Sequence, residues 1–328
     1  MTKRNVRSAE HVREASDAVR SGHGSQPIRL LAVIVLYKLS AQSSTSFWTL
    51  QDAIKLVPQN RLRVRILLYD NTPDADLPGT LPEGVDYEHS ANNSGLSKAY
   101  NRALEIAMRE NCEWLLTLDQ DTQLPEDFLA KLCEIISQHQ SSSEVAAVVP
   151  LVVERGKQLS PEYFFLEAIP RYVPRGFTGI SSRKTFAFNS ASTLRVSALR
   201  EIGGYNPLFW LDYSDAYIYS RLNASGKKIY VAGNIQVEHE FSMTDKRRRI
   251  TPERYQIAVR AGCAFWDTEM GKLAGLHHTA RLLLRLYKHW KRGDDPELRK
   301  ITMKVLAQRL TQSRSRRIAE WKAEMESR

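Results

Sequence analysis

The stretch Trp114-Leu115-Leu116-Thr117-Leu118-Asp119-Gln120-Asp121 decides the fold. Its first five residues are apolar or β-branched with no alternation. That pattern belongs to a strand buried on both faces, as in a parallel sheet. The strand stops on two carboxylates spaced two apart, and Pro125-Glu126-Asp127-Phe128 then opens a helix with proline and acids in its first turn. An Asp-x-Asp pair alone is most often a solvated turn. At the end of a buried strand the pair needs something to compensate its charge. One carboxylate can hold a hard divalent cation, and the other can hold it through water or bind a ligand hydroxyl.

Working outward, Leu30 to Tyr37 is a second continuous apolar run and Val64 to Tyr69 a third, the latter ended by the turn Asp70-Asn71-Thr72-Pro73. Phe47, Leu50, Ile54 and Val57 recur at helical spacing, as do Leu96, Tyr100, Leu104 and Ala107. Short strands are expected at Val85–Glu88, Val145–Val149 and Lys228–Ala232, a longer one from Phe186 to Leu194, and helices at Val196–Ile202 and Asp215–Ser225. Strand and helix alternate, which predicts an α/β chain with a mostly parallel sheet flanked by helices. Residues 151–185, rich in proline and glycine, are expected to be irregular. In such sheets ligands sit at the carboxyl ends of the strands, where Tyr37, Asp70 and Asp119 fall.

The expected division is a flexible polar arm over residues 1–26, a catalytic-type α/β domain over 27–250, and a basic helical C-terminal extension over 251–328. The net charge is +10, yet residues 272–328 hold fifteen Lys/Arg against six Asp/Glu, which leaves +1 for residues 1–271. The partner surface is therefore C-terminal, and anionic membrane and nucleic acid are the candidates. Leu273, Leu276, Ala280, Leu283, Leu284, Tyr287 and Trp290 share one helical face, with basic residues on the rest, so residues 273–292 are expected either to lie on a membrane surface or to pack on protein. The longest apolar run has eight residues, far short of a spanning helix. A cytoplasmic protein, peripheral at most on the inner face of the membrane, is the expectation. Cys112, Cys133 and Cys263 form neither a metal pair nor a disulfide framework and are expected to be buried.

Three further segments carry chemistry. The Asn93-Ser94-Gly95 helix start, followed by Asn101, would let an anion approach backbone N–H groups, or is an ordinary cap. Asp212 and Asp215 follow the aromatic run Phe209-Trp210. Carboxylates beside apolar rings have raised pKa values and suit general-base work. His239, just after a strand in Val237-Glu238-His239-Glu240, is a candidate metal ligand.

In this order and spacing, Val33–Tyr37, Tyr69–Thr72, Asn93–Asn101, Leu118–Thr122, Gly203-Gly204-Tyr205, Phe209–Arg221 and Val237–His239 resemble the family 2 glycosyltransferases of GT-A fold, most closely the rhamnosyltransferase-like branch of bacterial surface-polysaccharide synthesis. The resemblance runs from about residue 30 to 265. It implies an inverting transfer from a nucleotide-diphosphate donor, with dTDP-rhamnose the first choice, to a glycan or lipid-linked acceptor. Tyr37, Asp70, Asn71, Asn93, Gly95, Asn101, Asp119 and Gln120 would contact the donor. Asp119, Asp121 and His239 would hold Mg²⁺ or Mn²⁺, with Asp121 the more direct ligand. Asp215 would be the catalytic base and Asp212 the next candidate. Tyr217, Ala191 and Asn206-Pro207 depart from the family pattern, and the acceptor is where these departures bear. No nucleic-acid partner is expected, and a homodimer is compatible with the chain. A nucleotidyltransferase is the nearest alternative, but Tyr37-Lys38-Leu39-Ser40 lacks the Gly-rich basic loop it would need. A basic-tailed nucleic-acid-binding protein is the other alternative.

Overall fold

The computed structural model describes residues 26–166, 168–239, 250–293 and 295–327. The arm expected at 1–26 falls almost wholly outside these residues, as does Glu240.

Nine strands and helices build the first half. Strands β1 (Ile28–Leu36), β2 (Leu62–Asp70), β3 (Val85–His89), β4 (Trp114–Asp119), β5 (Thr122–Gln123) and β6 (Val145–Glu154) alternate with helices α1 (Thr45–Lys55), α2 (Gly95–Arg109) and α3 (Phe128–Gln138). Beyond them come β7 (Lys157–Ser160), β8 (Glu162–Phe165), β9 (Ile169–Tyr172), β10 (Thr178–Ile180), β11 (Thr185–Phe186) and β12 (Ser192–Arg195). Helices α4 (Val196–Glu201) and α5 (Ser214–Ala224) precede β13 (Lys228–His239), and α6 (Pro252–Thr268), α7 (Lys272–Arg292), α8 (Pro296–Thr311) and α9 (Arg314–Glu326) follow.

The main sheet runs β10-β13-β6-β12-β4-β1-β2-β3. The pairs β1–β2, β1–β4, β2–β3 and β6–β13 are parallel, and β12 is antiparallel to both β4 and β6. Register puts Leu36 beside Asp70 and Val35 beside Asp119, so three strand ends finish on one edge. Chain order reverses between β1 and β4, which opens a crevice at that edge. The apolar runs of β1 and β4 are buried on both faces, and two core clusters cover the two sides of the sheet.

Two sequence expectations need correction. Residues 151–185 are not irregular: they form β7 to β10, with β8, β9 and β11 making a separate three-stranded sheet. The short, turn-punctuated segments hid their pairing. The strand expected from Phe186 to Leu194 is also broken. Ala191 sits at φ 61 and only Ser192–Arg195 pair with β4 and β6, because the chain turns at Asn189–Ala191 before it enters the sheet between those strands.

The C-terminal helices are packed onto the α/β body. Asp267 of α6 is buried with Arg309 (3.2 Å) and Arg317 (2.9 Å), which ties α6, α8 and α9 together. Trp321 of α9 is buried and donates from Nε1 to the Leu208 carbonyl at 3.1 Å. All three cysteines are buried and free. Among the described residues, no helix is long and apolar enough to cross a membrane.

Candidate active site

The Asp119–Thr122 turn is gripped from α1. Ser46 is fully buried, and its hydroxyl meets the Asp119 carbonyl, the Thr122 carbonyl (2.9 Å) and the Thr122 N–H (2.8 Å). Ser44 donates to the Gln120 carbonyl at 2.8 Å while capping α1. These two serines fix the turn's backbone, and nothing local in the sequence marks them apart from an ordinary helix cap.

The turn then presents its acids. Asp119 Oδ2 accepts from the buried Ser190 hydroxyl. His239 arrives at the end of β13, paired with Thr122 of β5. Its Nε2 lies 3.9 Å from Asp119 Oδ2, and its Nδ1 lies 3.4 Å from Asp121 Oδ1 and 3.3 Å from Thr122 Oγ1. One imidazole thus lies between two carboxylates, the three residues singled out in the sequence. They approach opposite nitrogens of the ring, and among the described residues no three such side chains close on a single point. The donor set is nonetheless chemically suited to a hard or borderline divalent cation.

Asp215 stands in the first turn of α5, half-buried, and accepts from the Ala216 N–H at 2.7 Å. Burial pushes its pKa up to about 7; the Ala216 hydrogen bond opposes this, and the negative charges of Asp119 and Asp212 add to it. Asp212 is different. It forms a bidentate pair with Arg254, with Nη1 at 2.5 Å from Oδ2 and Nη2 at 2.7 Å from Oδ1. Between the two acids, Tyr213 takes φ 64 and its hydroxyl end packs against Gly262 of α6, where a Cβ would crowd it. Arg254 lies 42 residues from Asp212, so no sequence spacing could have announced the pair.

The Asn189-Ser190 turn joins the two acidic centres. Ser190 binds Asp119, while Asn189 donates from Nδ2 to Ser214 Oγ at 3.2 Å and accepts from Tyr205 OH at 3.1 Å. Ala191 next to it occupies the left-handed region where glycine is favoured.

Several residues expected at the donor have partners within the protein. The Leu96 and Ser97 N–H groups at the start of α2 are not free for an anion: both donate to the Trp210 carbonyl, at 2.6 and 3.2 Å, and Ser97 Oγ donates to the Phe209 carbonyl. Gly95 is glycine because a Cβ would overlap that same Trp210 carbonyl. The helix start is thus a clamp on the loop that carries Asp212 and Asp215. Asn101 spends its amide on the backbone of Tyr205, with both bonds at 2.8 Å. Gln120 Oε1 accepts from the Tyr37 N–H at 2.8 Å, bridging β4 to β1 across the crevice.

The remaining residues wall the β1–β2 end. Asp70, buried, accepts from the Thr72 N–H (2.8 Å) and from Tyr87 OH (3.0 Å). Tyr87 is correspondingly pushed up to about 12 by burial and by that bond. Asn71 donates to the Gly95 carbonyl at 3.3 Å, and Asn93 turns at φ 44. Tyr37 is exposed at the crevice mouth.

Comparisons with known proteins bear on the fold. Residues 49–203 match the family model described as glycosyl transferase family 2. No curated protein matches the chain. Among solved structures, GalNAc-T7 with UDP, GalNAc and Mn²⁺ is similar at 16% identity and TM-score 0.54, over 85% of this chain and 55% of that one. This chain thus spans little more than half the length of that relative. Residues 1–349 of S. aureus TarS in complex with UDP-GlcNAc are similar at 12% identity and TM-score 0.52, over 86% of this chain and 81% of that one. At these identities the likeness is one of fold: a mostly parallel α/β sheet flanked by helices, as in GT-A glycosyltransferases, with C-terminal helices added.

Proposed function

We propose that the protein is an inverting glycosyltransferase that moves a sugar from a nucleotide-diphosphate donor to an acceptor hydroxyl. The observation that carries this reading is the carboxylate of Asp215, pushed up by burial, sharing one crevice edge with the side chains of Asp119, Asp121 and His239. A buried carboxylate with raised pKa suits the base, and the Asp119, Asp121 and His239 group suits charge stabilisation. The two glycosyltransferases of like fold were crystallised with UDP or a UDP-sugar, one of them with Mn²⁺, and residues 49–203 match a glycosyltransferase family model.

Asp215 takes the proton from the acceptor hydroxyl as that oxygen forms its bond to the anomeric carbon. The bond from that carbon to the diphosphate oxygen breaks through an oxocarbenium-like transition state. Asp119, Asp121 and His239 would hold Mg²⁺ or Mn²⁺, which supplies charge stabilisation for the departing diphosphate. Ser190 keeps the Asp119 carboxylate turned to that task, and Arg254 occupies both Asp212 oxygens, leaving the proton transfer to Asp215. Asp70 and Asn71 wall the nucleobase side, with the Tyr37 ring at its mouth. Rhamnose from dTDP-rhamnose is the first donor to test, and a glycan or lipid-linked glycan of surface-polysaccharide synthesis the first acceptor class. A panel of nucleotide sugars tested for protection against thermal unfolding, with Mn²⁺ and with EDTA, checks the reading. Metal-dependent protection by one donor supports it. Protection by none, or equal protection in EDTA, contradicts it.

A further inference from the structure

Helix α7 has two faces that do different things. Ala274, His278 and Leu282 recur every fourth residue and are buried. His278 stacks on Trp266 of α6, with ring centroids 5.4 Å apart, and its Nε2 lies 3.4 Å from Cys263 Sγ. On the other side Leu273, Leu276, Leu283, Leu284, Tyr287 and Trp290 are all exposed, from 51% to 79%. Their spacing keeps them on one stripe of a helix about 31 Å long. The stripe continues into a groove of about 540 Å³ between α7 and α8, lined in part by Leu286, Pro296 and Met303 and sharing no residue with the active site.

A contiguous exposed apolar stripe bordered by charge marks an interaction surface. Charge says which partner. Residues 272–292 contain six Lys/Arg and no Asp or Glu. A second copy pressed stripe to stripe would set these cations against their own images, a like-charge arrangement that costs affinity. An anionic bilayer reverses the sign: the leucines enter the acyl boundary, Tyr287 and Trp290 take the headgroup level, and the lysines and arginines meet lipid phosphates. We infer that α7 docks the protein on anionic membrane surfaces through its Leu276–Trp290 stripe and the basic residues that border it. This inference does not depend on the reaction proposed above.

The test is sedimentation of the full chain with phosphatidylcholine vesicles that contain phosphatidylglycerol, and with pure phosphatidylcholine vesicles, at low and raised salt. Two paired variants are compared, Leu276→Glu with Leu283→Glu, and Lys288→Glu with Lys291→Glu. All four positions are exposed, and the lysine pair keeps the experiment readable if the leucine pair folds poorly. The expected result is salt-sensitive binding to the anionic vesicles alone, weakened at least roughly tenfold by each pair with unchanged melting temperature. Absence of binding at low salt overturns the inference, as does equal binding to neutral vesicles or binding that both pairs retain. A wild-type dimer that the leucine pair dissociates, without vesicle binding, also overturns it and assigns the stripe to a second copy.

Discussion

Ser190 donates its hydroxyl proton to Oδ2 of Asp119, and it does so from a turn whose preceding residue holds the start of the helix bearing Asp215. One short turn thus sets the distance between the candidate metal centre and the candidate base. Replacing Ser190 by alanine removes the bond and leaves Asp119 half-buried without its neutral donor. The expected outcome is roughly a tenfold or greater loss of kcat/KM, about the worth of a hydrogen bond to a charged group, with little change in melting temperature. Steady-state kinetics beside a thermal melt reads both. Unchanged kinetics would show that Ser190 only closes the turn.

The pKa of Asp215, raised to about 7, has a signed consequence. A general base works only unprotonated, so transfer should rise about tenfold per pH unit up to near pH 7 and level above it. Arg254 neutralises Asp212, and Asp212's charge pushes Asp215 upward. The Arg254→Met variant leaves that charge uncompensated and should move the acid limb to higher pH. A limb that stays in place in Arg254→Met would remove Asp212 and Arg254 from the electrostatics of the base.

The same shift bears on stability. Between the unfolded carboxylate value of 3.8 and about 7, folded Asp215 keeps a proton that the unfolded chain has lost. Its contribution to stability therefore falls as pH rises through that window. Asp215→Asn should melt higher than wild type at pH 8 and show a smaller difference at pH 4. His278 works in the opposite direction. Burial and the nearby arginines depress its pKa to about 3, so its contribution is intact above about 6.5 and is lost as pH falls toward 3. His278→Gln should blunt acid unfolding of the helical extension, followed by circular dichroism against pH.

Gly95 tests the reinterpretation of the α2 start. It takes φ 80, and a Cβ there would overlap the Trp210 carbonyl. Gly95→Ala should cost at least about 2 kcal/mol from the left-handed conformation and the clash together, a drop of roughly 4 °C or more in Tm. Activity should follow folding, because the glycine serves the loop and not a phosphate. A variant that folds as wild type but loses donor binding would restore the anion-cradle reading.

The legible parts of this protein are those where chemistry and pattern coincide. The runs of β1, β2 and β4 are apolar on both faces, so their burial and parallel pairing could be read directly. The acids that end them then fall on one edge by register. Strand ends and the family resemblance together single out Asp119, Asp121 and His239, and His239 lies within 3.9 Å of both acids, although it is 117 residues from Thr122, its hydrogen-bonding neighbour. The backbone contacts of Gly95, Asn101 and Gln120 are not legible in sequence, because a small polar residue that binds backbone looks the same there as one that binds ligand. Ser190 and Arg254 were missed as site residues for a related reason: each acts through a contact made only once the sheet and the C-terminal helices have closed. The strands between residues 157 and 186 are short and edge-like, and short pairings leave little period to read.

Asp215 is the residue on which the proposed transfer depends most. With a nucleotide sugar that protects the protein in the presence of Mn²⁺, single-turnover transfer should be compared between wild type and Asp215→Asn. The prediction is a fall of roughly 10²–10⁴-fold in the transfer rate, the usual worth of general-base catalysis, with donor binding kept. Transfer by Asp215→Asn at close to the wild-type rate would contradict the account and move the base to Asp212 or beyond.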